Sequence, residues 1–263
     1  MLKKLLKYDL KYIYKNLIVF YSLAIFFAIV TRIFLSIDNS SIATILGQIS
    51  SGVTIAMFFN IVINNIMRTW VNFKTHIYGD ESYLLHTLPV TKKQIYLSKM
   101  LSVLIAVLTS TLVLILSFFI AYYNKENIQM IKDTLTSLSY IYDSTVFKLI
   151  ITAFLIFYLE LVTIIISGYT GLILGHRKNN NKIVFSIIYG FALYIINQLL
   201  LLLIIYIIAL FNPDIMNLFV TNTNPSVKSL KLIMYLAIAI YTIYNVIYYI
   251  LNVKLLSEGV NVD

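Results

Sequence analysis

The sequence contains no cysteine, only three prolines and few charged residues. Without cysteine the chain can form no disulfide, no thiolate metal site and no cysteine nucleophile. The three histidines, His76, His86 and His176, have none of the spacings typical of metal ligands. Charged residues make up 12% of the chain, which is about half of their usual share in soluble proteins. The sequence therefore predicts neither a metal site nor a catalytic constellation.

The chain is instead dominated by long apolar runs. Hydrophobic residues make up 60% of the 263 positions, and the mean hydropathy is +0.88. A soluble domain of this size could not bury that much apolar surface, whereas runs of roughly 20 residues match the hydrocarbon thickness of a bilayer. We predict an all-α polytopic membrane protein, with the whole chain 1–263 as one transmembrane domain. The six predicted spans are 17–37, 42–67, 100–123, 147–174, 183–211 and 232–253.

Basic residues lie unequally on the two sides of these spans. Most of the 20 Lys and Arg residues precede the first span or lie in the loops after the second and fourth spans. Because such residues accumulate in short cytoplasmic loops, we expect both termini in the cytoplasm. Anionic lipid headgroups then account for the net charge of +9, and nucleic-acid binding is not expected.

The first 16 residues have apolar and lysine-bearing faces at helical spacing. This pattern predicts an amphipathic helix that lies in the membrane interface along the inner leaflet. Such a helix either moves with the first span or only anchors the chain.

A polar segment over 68–99 separates the second and third predicted spans. Gly79 interrupts the helix that continues from the second span, and Pro89 ends a short helix predicted over 80–88. Thr91 and Gln94 have the spacing of a capping box for the helix that follows. The apolar face of the short helix cannot enter the bilayer, so we expect it to pack against the chain's own helix ends or to dock into a separate cytosolic protein.

The run 79–99 reads GDESYLLHTLPVTKKQIYLSK. With this run, the six-span layout and the amphipathic N-terminus, the chain resembles the permease subunits of ABC-2 type (type V) ATP-binding-cassette exporters. The resemblance is to the Gram-positive branch that handles bacteriocins, lantibiotics and phenol-soluble modulin toxins. It covers essentially the whole chain, although only 79–99 is distinctive.

The resemblance implies that 80–88 is a coupling helix that inserts into a groove of a cytosolic ABC ATPase. The coupling residues would be Asp80, Glu81, Tyr83, Leu84, Leu85, His86 and Leu88. It also implies two such permease chains, as a homodimer, with two ATPase copies in a bacterial plasma membrane and an amphipathic peptide as cargo.

ATP and Mg would be bound by the partner ATPase, and this chain would bind no cofactor and have no enzymatic activity of its own. The run GLILGHRK over 171–178 has three residues between its glycines, whereas a phosphate loop has four.

Several polar residues interrupt the predicted spans. Glu160 lies near the middle of the fourth span, where an exposed charge would cost several kcal/mol. It is therefore expected at a helix interface or an aqueous cavity, where it contacts cationic cargo, exchanges between neutral and charged forms, or hydrogen-bonds a neighbouring helix. The intramembrane amides are expected to form interhelical hydrogen bonds or to contact cargo, and they are Asn60, Asn64, Asn65, Asn197, Gln198 and Asn245. Ser167, Gly171 and Gly175 form a small-residue stripe that favours close helix packing.

Two further helices are predicted between the spans. The loop 124–146 predicts a surface helix, and Asn212 with Pro213 predicts the start of another helix on the outer face.

Two other function classes stay open. An intramembrane protease would need a second acid, a base or a metal ligand near Glu160, and none is evident in the spans. A secondary transporter, or a drug or lipid efflux permease not specialised for peptides, is the alternative to the peptide exporter.

Overall fold

The structure is a computed structural model that describes residues 1–37, 40–213, 215–216 and 227–259. Over these residues the chain is predominantly helical, and no strand occurs. The helices are α1 (Leu2–Leu35), α2 (Ser41–Ile77), α3 (Ser82–Thr87), α4 (Lys92–Tyr122), α5 (Lys125–Ile141), α6 (Val146–His176), α7 (Lys182–Phe211) and α8 (Val227–Ser257).

Within the described ranges, six helices are long and apolar enough to cross a membrane. They are α1, α2, α4, α6, α7 and α8, and the shortest has 30 residues. At 1.5 Å per residue such a helix is about 45 Å long, which exceeds the roughly 30 Å of bilayer hydrocarbon. Each one overlaps a predicted span. The prediction of an all-α polytopic membrane protein is confirmed.

The N-terminal 16 residues begin the first long helix and do not form a separate one. α1 is continuous over 34 residues, with no helix end near residue 16. Asp9, Ile13 and Leu17 follow one another at four-residue spacing and are buried, and Ile13 and Leu17 pack against Ala106 of α4. Part of the face expected in the membrane interface therefore contacts another helix, and the predicted amphipathic segment is continuous with the first span.

The local signals around the short third helix are reproduced. α2 ends at Ile77, and Gly79 lies in the turn that follows. The Thr91 hydroxyl accepts a hydrogen bond from the Gln94 backbone N–H at 3.2 Å, and the Gln94 side-chain oxygen accepts one from the Thr91 N–H at 3.3 Å. This reciprocal pair is the capping box that the sequence predicts. α3 is shorter than predicted, because it begins at Ser82 and ends at Thr87.

The two segments between spans that the sequence predicts as helical contain helix where the structure describes them. α5 occupies most of the loop 124–146 and buries none of its described side chains. After α7, Ile215 is fully buried and packs against Ile205 and Ala209. The rest of that second segment, 217–226, lies outside the described residues.

The chain divides into two compact units. The first covers Met1–Met130 and contains α1 to α4, with α1 packed along both α2 and α4. The second covers Ile131–Asn261 and contains α6 to α8, with α6 packed along α7 and α8.

The predicted small-residue stripe lies where α6 and α7 approach each other. A Cβ added to Gly171 would lie 2.5 Å from the Gly190 Cα and 2.8 Å from the Ser186 carbonyl oxygen. Gly175 lies similarly close to the Ser186 backbone. Ser167 is buried one turn earlier, and its hydroxyl donates to the Ile164 carbonyl at 2.9 Å. The backbones could not approach this closely with larger residues at the two glycine positions.

Candidate functional site

The short helix α3 packs against α2 and leaves apolar side chains exposed. Tyr83 is 75%, Leu84 69% and Leu88 45% exposed, whereas Leu85 is half-buried. Ser82 is buried, and its N–H donates to the Gly79 carbonyl at 2.8 Å. α3 is therefore fixed at its first residue and carries its apolar groups outward.

The acidic residues before α3 have different surroundings. Asp80 is exposed in the turn, and Glu81 is the N-cap residue of α3. The Glu81 carboxylate does not cap the helix; its Oε2 atom lies 2.9 Å from Nε2 of His76 on α2. His86 belongs to α3, but its side chain lies outside the described residues.

A buried polar cluster joins three helices of the first unit next to this turn. It consists of Asp9 on α1, Asn72 and His76 on α2, and Ser98 and Lys99 on α4. Lys99 is only 2% and Asp9 4% exposed. Burial of an isolated charge is strongly unfavourable, so these two charges depend on each other and on the polar groups around them.

Lys99 uses its whole hydrogen-bonding capacity inside this cluster. Its Nζ atom lies 2.5 Å from Asp9 Oδ1, 2.5 Å from Asn72 Oδ1 and 2.6 Å from His76 Nδ1. An ammonium group has three N–H donors and no acceptor, so these three contacts match its three protons. The other Asp9 oxygen accepts a hydrogen bond from the Ser98 hydroxyl at 2.5 Å.

The sequence alone does not predict this cluster. Lys99 is one of the basic residues expected in the cytoplasm, and Asp9 belongs to no recognisable motif. One signal was available, because Leu5, Asp9, Ile13 and Leu17 form a single row at four-residue spacing and Asp9 is the only charged residue in it. A carboxylate within an otherwise apolar row indicates a buried polar partner.

The second unit has its own polar contacts inside the helix bundle. Glu160 on α6 is half-buried, and the Tyr194 hydroxyl of α7 is hydrogen-bonded to both Glu160 and Gln198. Tyr241 of α8 also hydrogen-bonds Gln198. Glu160 thus lies at a helix interface, in keeping with one of the alternatives that the sequence leaves open.

Asn197 joins α7 to α8 in the same unit. Its side-chain oxygen accepts a hydrogen bond from the Tyr248 hydroxyl at 2.9 Å, and its backbone oxygen accepts one from Tyr244 at 3.3 Å. Asn245 of α8 donates to the Thr163 hydroxyl of α6 at 3.0 Å. These bonds hold α8 against both neighbouring helices.

Asn60, Asn64 and Asn65 of α2 have different hydrogen-bond partners. Asn60 donates to the Ala56 carbonyl at 3.2 Å and Asn64 to the Asn60 carbonyl at 3.0 Å, so both bonds stay within α2. Asn65 is buried and donates to the Ala106 carbonyl at 2.9 Å and to the Ser110 hydroxyl at 2.6 Å on α4. Asn65 thus forms the interhelical bonds that the sequence predicts for it, whereas Asn60 and Asn64 bond within α2.

No family model, curated protein or solved structure matches this chain.

The geometry itself limits what each site can do. The buried polar cluster has its charged atoms fully engaged with one another, so it holds helices together and offers no open position for a ligand. α3 presents apolar groups on a short helix anchored at one end, which is an arrangement suited to contact with another protein. The Glu160 contact places a carboxylate among hydroxyl and amide groups between helices of the second unit.

Proposed function

We propose that this multi-pass membrane protein is the permease subunit of an ABC-2 type exporter driven by a separate ATPase. The observation that carries the proposal is the exposure of Tyr83, Leu84 and Leu88 on α3. A helix of six residues is too short to be stable alone, so α3 is held by its attachments to α2. Its exposed apolar groups then form a compact contact that an ATPase groove would cover.

The orientation follows from the lysines near α3. Lys3, Lys4, Lys7, Lys11 and Lys15 are all exposed on α1, and the buried polar cluster connects this part of α1 to the end of α2 beside α3. Basic residues next to membrane spans favour the cytoplasmic side. We therefore propose that both termini and α3 face the cytoplasm of a bacterial cell, where an ATPase could bind.

The proposed assembly has two permease chains, as a homodimer, and two ATPase subunits, which bind the ATP and Mg. The proposed cargo is an amphipathic peptide, such as a bacteriocin or a phenol-soluble modulin. Glu160 supports a peptide that carries basic side chains, because a carboxylate within the helix bundle would attract a cationic group during passage. The alternative is a secondary transporter, or a drug or lipid efflux permease, for which ion-driven flux would need no ATPase.

The test is purification of the chain with a candidate ABC ATPase and reconstitution of the complex in lipid vesicles. We expect Tyr83→Asp and Leu84→Asp to abolish ATPase binding and to remove peptide-stimulated ATP hydrolysis. Tyr140→Asp is the matched control. Tyr140 is 81% exposed on α5, so this variant has the same Tyr-to-Asp substitution at an exposed position that is distant from α3 in the sequence.

Two results would contradict the proposal. One is full ATPase binding by both α3 variants. The other is flux driven by a proton or sodium gradient in vesicles that contain this chain and no ATPase.

A further inference from the structure

His76 connects the turn before α3 to the buried charges of the first unit. One ring nitrogen, Nε2, lies 2.9 Å from Glu81 Oε2, and the other, Nδ1, lies 2.6 Å from Lys99 Nζ. We infer that His76 is a positioning residue, which holds the N-terminal end of α3 in place through Glu81 and is itself held by Lys99. The role of this link in transport rests on the proposed function, whereas the link itself does not.

The neighbours of His76 determine which nitrogen carries the proton. The Glu81 carboxylate can only accept hydrogen bonds, so Nε2 must be protonated to bond to it at this distance. Lys99 can only donate, so Nδ1 must be unprotonated to receive its third N–H. Nδ1 also lies 3.2 Å from Asp9 Oδ1, but these two acceptors share the Lys99 ammonium, which is closer to each of them. With Lys99 as the ammonium, the contacts therefore assign a proton to Nε2 of His76 and the accepting role to Nδ1.

The rest of the cluster keeps the ring in this orientation. Asp9 and Asn72 occupy the other two protons of Lys99, which leaves the third directed at His76. Tyr12 of α1 packs edge-on against the His76 ring, with the ring centroids 5.2 Å apart. The imidazole is thus fixed from α1 and α4 as well as from its own helix. The imidazole that contacts Glu81 is therefore held by three helices.

Glu81 is suited to this role because it has no competing one. It occupies the N-cap position of α3, but its side chain makes no capping hydrogen bond. Loss of its carboxylate would consequently remove the contact with His76 without removing a helix cap. Asp80 is its neighbour in the same turn and is exposed, so it serves as a control for loss of one negative charge.

Two amide substitutions at position 76 separate the two ring nitrogens. In His76→Gln the side-chain NH2 reaches about as far as Nε2 and can still donate to Glu81. In His76→Asn the side-chain oxygen replaces Nδ1 and can accept from Lys99, but the shorter side chain cannot reach Glu81. His76→Asn thus keeps only the acceptor for Lys99, and His76→Gln keeps only the donor to Glu81, so faster exchange over 79–88 in His76→Asn than in His76→Gln reports on the link to α3.

The readout is amide hydrogen exchange over 79–88 in the purified chain in lipid nanodiscs, with 102–106 of α4 as the internal reference. We expect His76→Asn and Glu81→Ala to raise exchange in 79–88 by about two- to fivefold, as for loss of one partly exposed hydrogen bond. His76→Gln and Asp80→Ala should match the unsubstituted chain. The double variant His76→Asn with Glu81→Ala should exchange no faster than either single variant, because both remove the same contact.

Any of three results would overturn the inference. They are unchanged exchange in Glu81→Ala, equal exchange in the Asn and Gln variants at position 76, and equal effects of Asp80→Ala and Glu81→Ala. If His76→Asn also raises exchange in 102–106, the fold is perturbed and the comparison of Glu81→Ala with Asp80→Ala decides. The measurement needs no ATPase, so failure to find a partner would count against the proposed function and leave this inference standing.

Discussion

Removal of one charge from the buried polar cluster should destabilise the first unit more than any surface change. In Lys99→Met the side chain keeps a similar length but loses the ammonium group, which leaves the Asp9 carboxylate only 4% exposed and without its cation. Asn72 Oδ1 and His76 Nδ1 lose their donor at the same time. Loss of one partner from a buried ion pair typically costs about 3–5 kcal/mol, and we expect a value in this range.

Removal of both charges should cost less than removal of one. Asp9→Leu combined with Lys99→Met eliminates the unpaired carboxylate and makes the row of Leu5, Ile13 and Leu17 continuous. Replacement of a whole buried pair by apolar residues is often neutral or stabilising. Here, however, Asn72 and His76 would still lack the Lys99 donor and Ser98 would lose its acceptor, each bond being worth about 1 kcal/mol. The double variant should therefore recover part of the stability that Lys99→Met loses.

The chain has a built-in probe for this comparison. Its single tryptophan, Trp70, lies on α2 two positions before Asn72, so its fluorescence should report unfolding of the first unit in detergent titrated with denaturant. Lys11→Met is the matched control, because Lys11 is an exposed lysine on α1 and a surface change of this kind shifts stability by no more than about 0.5 kcal/mol. The reasoning is refuted if Lys99→Met is as stable as Lys11→Met, or if the double variant is less stable than Lys99→Met.

Two further predictions concern other helices. Gly171→Ala should lower the stability of the second unit by about 1–3 kcal/mol, because the new Cβ would meet the α7 backbone. Gly52→Ala should leave stability unchanged, because a Cβ at this position has no atom within 4 Å. Thermal unfolding in detergent compares the two variants. Glu160→Gln should leave the melting temperature unchanged, since the amide oxygen still accepts a hydrogen bond from Tyr194, but should weaken stimulation of ATP hydrolysis by a lysine-rich peptide more than by a neutral one. Equal stimulation in both proteins would mean that Glu160 only packs.

The features that the sequence predicts well are those fixed by local physics. The long helices follow from apolar runs that exceed the bilayer thickness, and the start of α4 follows from Thr91 and Gln94, which are three residues apart. Gly79 marks the interruption after α2 for the same reason, since a turn needs only its neighbours. Each of these signals lies within a few residues of its effect.

The buried polar cluster could not be found in this way, because its members are distant in sequence. Lys99 and Asp9 are 90 positions apart, and Lys99 and Asn72 are 27 apart. Only the packing of α1 against α2 and α4 brings them together. The same packing covers part of the apolar face at the N-terminus, where an amphipathic pattern fits both a membrane interface and a helix interface. The sequence pattern shows that one face of α1 is apolar, but it does not show what covers that face.

Lys99 also alters the argument from charge distribution. A lysine supports a cytoplasmic position only if its ammonium group can reach headgroups or water, and that of Lys99 is enclosed by Asp9, Asn72 and His76. It should therefore be left out of the comparison of the two sides. The five lysines of the first 16 residues are all exposed and are sufficient to maintain the bias. The expected orientation thus rests on these exposed lysines, while Lys99 and Asp9 determine how the same helix is joined to the turn that carries α3.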